Sequence, residues 1–77
     1  MDFVLRRGRE HLALEVKHQA RTGPELLTGL RAIADLPKLA RRIAVYRGRQ
    51  TLRTVDGIDV WPFERLVEAL ARGILWP

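Results

Sequence analysis

At 77 residues the chain is one domain at most, too small for a large enzyme with its own cofactor pocket; without cysteine it has no disulfides, zinc–thiolate sites or thiol catalysis. Its 47% hydrophobic and 30% charged composition is that of a folded domain, not a disordered segment. The net charge of +5, with 12 arginines among the 14 basic residues, suits phosphate-bearing partners, although GC-rich coding gives the same arginine bias. No apolar run is long enough to span a membrane, and Met1-Asp2-Phe3 lacks the basic-then-apolar plan of a signal peptide. A cytoplasmic protein with no membrane partner is therefore expected.

Asp2 to Arg7 carries the β-favouring residues Phe3 and Val4, and Gly8-Arg9 signals a turn before a second run, His11 to His18. These runs predict a β-hairpin. In the second run Leu12, Leu14 and Val16 alternate with Ala13, Glu15 and Lys17, the pattern of a strand with one buried face, which leaves Glu15 and Lys17 together on the other. Thr22 or Gly23 as cap, Pro24 at the first helical position and Glu25 in the first turn predict a helix. Leu26, Leu27, Leu30 and Ile33 follow at helical spacing, and the helix is expected to stop near Leu36, ahead of Pro37.

Arg42 to Arg47 is a continuous apolar run of the kind found in a covered parallel strand, so that strand, helix and strand predict a crossover unit. Thr51 to Val55 and Ile58 to Trp61 flank Asp56-Gly57, a strong hairpin signal. Pro62 opens a last helix with Phe63, Leu66, Val67 and Leu70 as its apolar stripe and Gly73 as its stop. The predicted order is β-β-α-β-β-β-α, an α/β fold with a mixed sheet. Its expected core is Leu12, Leu14, Val16, Leu30, Ile33, Ile43 and Val45.

If Gly8-Arg9 is a two-residue loop, Arg7 faces Glu10 and, along the same ladder, Asp2 faces Glu15. Opposed acids repel unless a cation lies between them, a part that Lys17 or a bound metal could take. Two hard carboxylates suit Mg²⁺ or Mn²⁺, and a metal held there could activate water against a phosphodiester, with Lys17 orienting the water or offsetting charge on the phosphate. Arg41, Arg42, Arg47 and Arg49 offer a basic edge beside that phosphate, although arginines scattered at loop ends are more often solvated charge. His11 and His18 lie on opposite strand faces by parity and form no joint metal pair. Trp61 and Trp76 are expected as core or interface anchors.

Asp2-Phe-Val-Leu-Arg-Arg-Gly8 and Leu14-Glu15-Val16-Lys17 resemble the motif strands of the PD-(D/E)xK, restriction-endonuclease-like nuclease superfamily. Within it, the chain looks like the uncharacterised C-terminal domain that follows an AAA-type ATPase module in bacterial and archaeal ATPases. Gly29-Leu30-Arg31, Val45-Tyr46-Arg47-Gly48 and Asp56-Gly57-Ile58 before Trp61-Pro62 extend the likeness along nearly the whole chain. The resemblance implies Asp2 and Glu15 as metal ligands, Val16 as a carbonyl ligand and Lys17 as the catalytic lysine of a Mg²⁺-dependent nuclease, active or vestigial.

The superfamily core begins with a helix and a strand ahead of its motif aspartate, whereas this chain begins at that aspartate with Met1 before it. A single domain at 1–77, or the C-terminal piece of a larger one, is therefore expected. Nucleic acid, a second copy and an ATPase module are the expected partners, with Ile74-Leu75-Trp76 a candidate contact for self-association. The alternative from another class is a non-catalytic interaction or oligomerisation domain.

Overall fold

The structure, a computed structural model, describes residues 2–21 and 23–76, and of Asp2 and Pro24 the backbone alone. Seven elements follow one another: β1 (Asp2–Arg7), β2 (Glu10–Val16), α1 (Pro24–Ala32), β3 (Leu39–Tyr46), β4 (Leu52–Arg53), β5 (Ile58–Pro62) and α2 (Phe63–Arg72). The type and order of every element are as the sequence predicts. The strands form one mixed sheet in the order β1-β2-β3-β5-β4, with β2, β3 and β5 parallel and the two outer strands antiparallel to their neighbours.

The parallel strands explain why β3 and β5 read as unbroken apolar runs. Alternate residues enter two cores, one on each face of the sheet. Ala13, Ala44, Tyr46, Ile58 and Val60 meet Leu26, Leu27 and Leu30 of α1. Leu12, Ile43, Val45 and Trp61 meet Leu66 and Ala69 of α2 and Leu75 of the tail. The molecule is thus a three-layer α/β/α arrangement. Of the expected core, Leu12, Leu30, Ile43 and Val45 are buried, while Leu14, Val16 and Ile33 are half-buried at its margins. The sequence reading of β2 as a strand with one buried face is corrected, because Ala13 and Glu15 are covered by α1.

Two helix predictions also change. Gly23 is the α1 cap, and Thr22, the other candidate, lies outside the described residues. Regular helix ends at Ala32 instead of near Leu36. The Leu30 carbonyl, which a continuing helix would offer to the Ala34 amide, accepts instead from Arg42 Nη1 at 3.1 Å. Ala34 and Leu36 then turn back to Arg31 and Ile33 through tighter bonds of 3.3 and 3.0 Å. In α2 the buried residues are Leu66 and Ala69, and Phe63, Val67 and Leu70 of the predicted stripe are exposed. At about 100° per residue the helix is turned roughly a quarter-turn from that stripe, because its contact is made with Trp61 and the returning tail. Gly73, at φ 68°, ends α2 as expected, with Ile74 N–H donating to the Ala69 carbonyl at 3.0 Å.

The tail is not a free contact. Arg41 Nη1 donates to the carbonyls of Ile74 and Leu75 at 3.3 and 3.0 Å, and its guanidinium carbon stands 5.5 Å from the centre of the Trp61 ring. Its Nε lies 3.1 Å from the buried Asp59 Oδ2, as a Coulomb contact without hydrogen-bond alignment. Arg7 covers Trp76 at 4.7 Å. Both tryptophans are thus internal anchors. Removing Asp59 leaves the largely buried Arg41 without its counter-ion, so Asp59→Ala is expected to lower the unfolding free energy by about 3 kcal/mol. Arg53→Ala removes the more exposed partner of the same carboxylate and is expected to cost under about 1 kcal/mol, both effects being read from urea titrations.

The second hairpin has a three-residue loop. Leu52 pairs with Val60 and Arg53 with Asp59, so Val55-Asp56-Gly57 form the turn, in place of the Asp56-Gly57 pair alone. Thr54 Oγ1 donates to Asp56 Oδ1 at 2.6 Å and Arg31 Nε to Oδ2 at 3.1 Å, and these bonds hold the Asp56 carboxyl down to about 2. A lowered folded-state value stabilises the protein above the ordinary carboxylate range, and that stability is lost as pH falls towards 2. Asp56→Asn is therefore expected to flatten the fall in urea midpoint between pH 5 and pH 2. An unchanged slope would remove Asp56 from acid unfolding.

Candidate functional site

The β1–β2 hairpin carries the residues that the sequence singles out. Gly8 takes φ 62°, the left-handed conformation that a II′ turn asks of its first central residue. Arg7 then faces Glu10, and the ladder runs back to Asp2 facing Glu15. The backbone register predicted for the two acids is therefore present. The Asp2 side chain, one of the expected metal ligands, lies outside the described residues.

Glu15 is 3% exposed, and its Oε1 lies 2.8 Å from Lys17 Nζ. The other oxygen faces helix α1 at Gly29, where an added Cβ would stand 2.9 Å from Oε2. Beside it a hollow of about 130 Å³ opens between the hairpin and α1, walled by Phe3, Val4, Leu14, Leu30 and Ile33. The carboxylate thus sits in apolar surroundings with an ammonium on one oxygen and a helix backbone close to the other. Such burial is costly for an acid without a cation, which gives the Lys17 pair its structural value.

For chemistry, the described residues bring together the Glu15 and Lys17 of the motif, with Val16 between them turning its side chain to the opposite core. Among the described residues no group of three or more His, Cys, Asp or Glu side chains is placed to hold a metal. Glu15, the motif acid whose side chain is described, already pairs with Lys17, so a divalent ion would have to displace that ammonium from Oε1. Gly29 is the residue of this site to which the sequence reading gave no role. Its signal was a glycine inside a helix, a position that costs about 1 kcal/mol against alanine unless something needs the space.

The arginines that could form a basic edge are divided. Arg41 and Arg42 stand near the start of β3 and are spent on Asp59, the tail, Leu30 and the Asp56 carbonyl. Arg47 and Arg49 lie beyond its far end and are exposed. At about 3.3 Å per residue the two pairs are roughly 20 Å apart. Gly48 has a packing reason, since a Cβ there would overlap the Tyr46 ring, whose hydroxyl accepts from Gln50 N–H at 3.1 Å and donates to its carbonyl at 2.9 Å.

The close approach of Gly29 to Glu15 yields a coupling test. Gly29→Ala is expected to destabilise the native chain by about 1–2 kcal/mol despite the better helix propensity of alanine. With Glu15→Ala in place the same substitution should become neutral or stabilising, a non-additivity read from a double-mutant cycle of urea unfolding. Additive effects would mean that the two residues do not press on one another.

A sequence model for a family described as "Domain of unknown function (DUF4143)" matches residues 1–66. No curated protein and no solved structure matches the chain.

Proposed function

The chain belongs to the DUF4143 family, and we propose that it is a nuclease-like domain in vestigial form, related to the C-terminal domain of AAA-type ATPases. In this reading Asp2, Glu15, Val16 and Lys17 keep the positions of a Mg²⁺- or Mn²⁺-dependent phosphodiester site without its turnover. The observation that carries it is Glu15 itself: the motif acid lies at the strand position that the resemblance assigns, opposite Asp2, yet is buried and paired with the motif lysine. A hydrolytic site needs its carboxylate on the metal and its lysine on water or phosphate, so the Glu15–Lys17 contact would have to open before either could act. Bound at Asp2 and Glu15, a divalent ion would polarise a phosphodiester. With so few charges to hold it, its affinity should be low.

A second reading, a non-catalytic interaction domain, is favoured by one specific observation. Phe63, Val67 and Leu70 form an exposed apolar stripe along α2, of the kind that marks a contact surface in a small domain. An ATPase module is the partner that the family resemblance suggests, and nucleic acid remains the partner of the nuclease reading. No described helix is long and apolar enough to cross a membrane.

A Mn²⁺ titration followed by paramagnetic broadening of amide signals, paired with a nucleic-acid cleavage assay, tests the vestigial site. Weak broadening centred on residues 2 and 15–17, abolished by Asp2→Asn and by Glu15→Gln, with no cleavage, is the expected outcome. Metal-dependent cleavage lost in Glu15→Gln would show an active nuclease. Broadening spread over other acids and indifferent to both variants would end the metal reading.

A further inference from the structure

Strand β1 stands at the end of the sheet order, and its bonding pattern can be read from its neighbour. The amides of His11 and Lys17 bond towards β3, through the carbonyls of Lys38 and Val45. Odd-numbered residues of β2 therefore turn their backbone groups to β3, and even-numbered ones turn theirs to β1. Their partners Phe3, Leu5 and Arg7 are the bonded residues of β1. By the same alternation Asp2, Val4 and Arg6 direct their N–H and C=O groups to the outer edge. That edge is apolar: Phe3, Val4 and Leu5 are 43%, 59% and 36% exposed.

We infer that a second copy of this chain covers the edge by antiparallel pairing of β1 with β1, centred on Val4. A two-fold arrangement requires the residue at the centre to face itself, and outward-bonding residues can pair only with outward-bonding ones. Centring on Val4 meets both conditions and sets Asp2 against Arg6, Phe3 against Leu5 and Val4 against Val4 of the second copy. Opposite charges then close each end of an apolar centre, and both contribute to pairing. Centring on Leu5 removes Asp2 from the ladder and sets Val4 against Arg6, while centring on Phe3 sets Asp2 against Val4. Charge complementarity thus selects one register.

The arrangement also adds a residue to the candidate site. Asp2, Val4 and Arg6 share the sheet face of Glu15, so Arg6 of the second copy comes beside the position where Asp2 and Glu15 oppose each other. The arginine adds a second cation to a site in which Lys17 already pairs with Glu15. The inference stands on backbone parity and on charge complementarity along β1, and does not depend on the vestigial reading of Glu15.

Because the chain has no cysteine, cross-linking gives an unambiguous test. Directly opposed bonded residues have Cα atoms about 5.5 Å apart, within disulfide range. In a glutathione buffer the full chain carrying Val4→Cys is expected to form a disulfide dimer at least tenfold faster than Phe3→Cys alone. A mixture of Phe3→Cys and Leu5→Cys chains should give the mixed dimer. Val4→Pro removes an outward N–H and leaves the β1–β2 ladder intact, so it is expected to sediment as a folded monomer where the native chain is dimeric. A native chain that stays monomeric in sedimentation at millimolar concentration would overturn the proposal. So would Val67→Cys, on the α2 stripe, cross-linking faster than Val4→Cys.

Discussion

A carboxylate that must be buried and still be paired is the constraint around which the hairpin and the first helix are arranged. Glu15 enters the α1 face because strand alternation puts it there, between Ala13 and Lys17. The helix above can approach closely because Ala13 and Ala44 are small and because Gly29 offers no side chain towards the acid. A larger residue at any of these three places would lift α1 from the sheet or push the carboxylate aside. Lys17, about one-third exposed, reaches back from the rim to supply the counter-charge while keeping contact with solvent.

On the opposite face a second ionic node has a different task. Arg41 gathers Asp59, two tail carbonyls and the Trp61 ring around one guanidinium, so the C-terminal residues close the α2 core. Several donors in a fixed plane make arginine suited to such a junction, and lysine could not reproduce it. The rotation of α2 follows from this closure. With Leu75 and Trp61 supplying apolar contact on one side of the helix, Leu66 and Ala69 turn to them and Phe63, Val67 and Leu70 turn to solvent.

The elements that were legible in the sequence are those whose signals are local. The hairpin at Gly8, the proline-led α1, the apolar run of β3 and the Gly73 stop each rest on a few adjacent residues, and each is present. What could not be read depended on distant partners. The α1 end is set by Arg42, twelve residues from Leu30, taking a carbonyl. The α2 face is set by the tail, and the burial of Glu15 by a helix whose glycine gives no hint of what lies beneath it. Asp59, a single acid in an apolar strand, has no spacing signature; its meaning comes from Arg41, which the sequence offers only as solvated charge or as part of a phosphate edge.

The register that aligns Asp2 with Glu15 also fixes which way the Asp2 backbone faces. In an antiparallel pair a residue lies either at a bonded position or at an unbonded one, and the II′ hairpin closing at Arg7 and Glu10 makes Asp2 unbonded to β2. Its N–H and C=O therefore look away from the sheet, at the β1 position that stands opposite Glu15. The candidate site and the open edge are in this way two consequences of one turn. A loop longer or shorter by one residue would exchange the faces of every β1 side chain and separate the acids. The second copy that pairs with the edge then meets the site directly, because the position opposite Glu15 is also an outward-bonding position of β1.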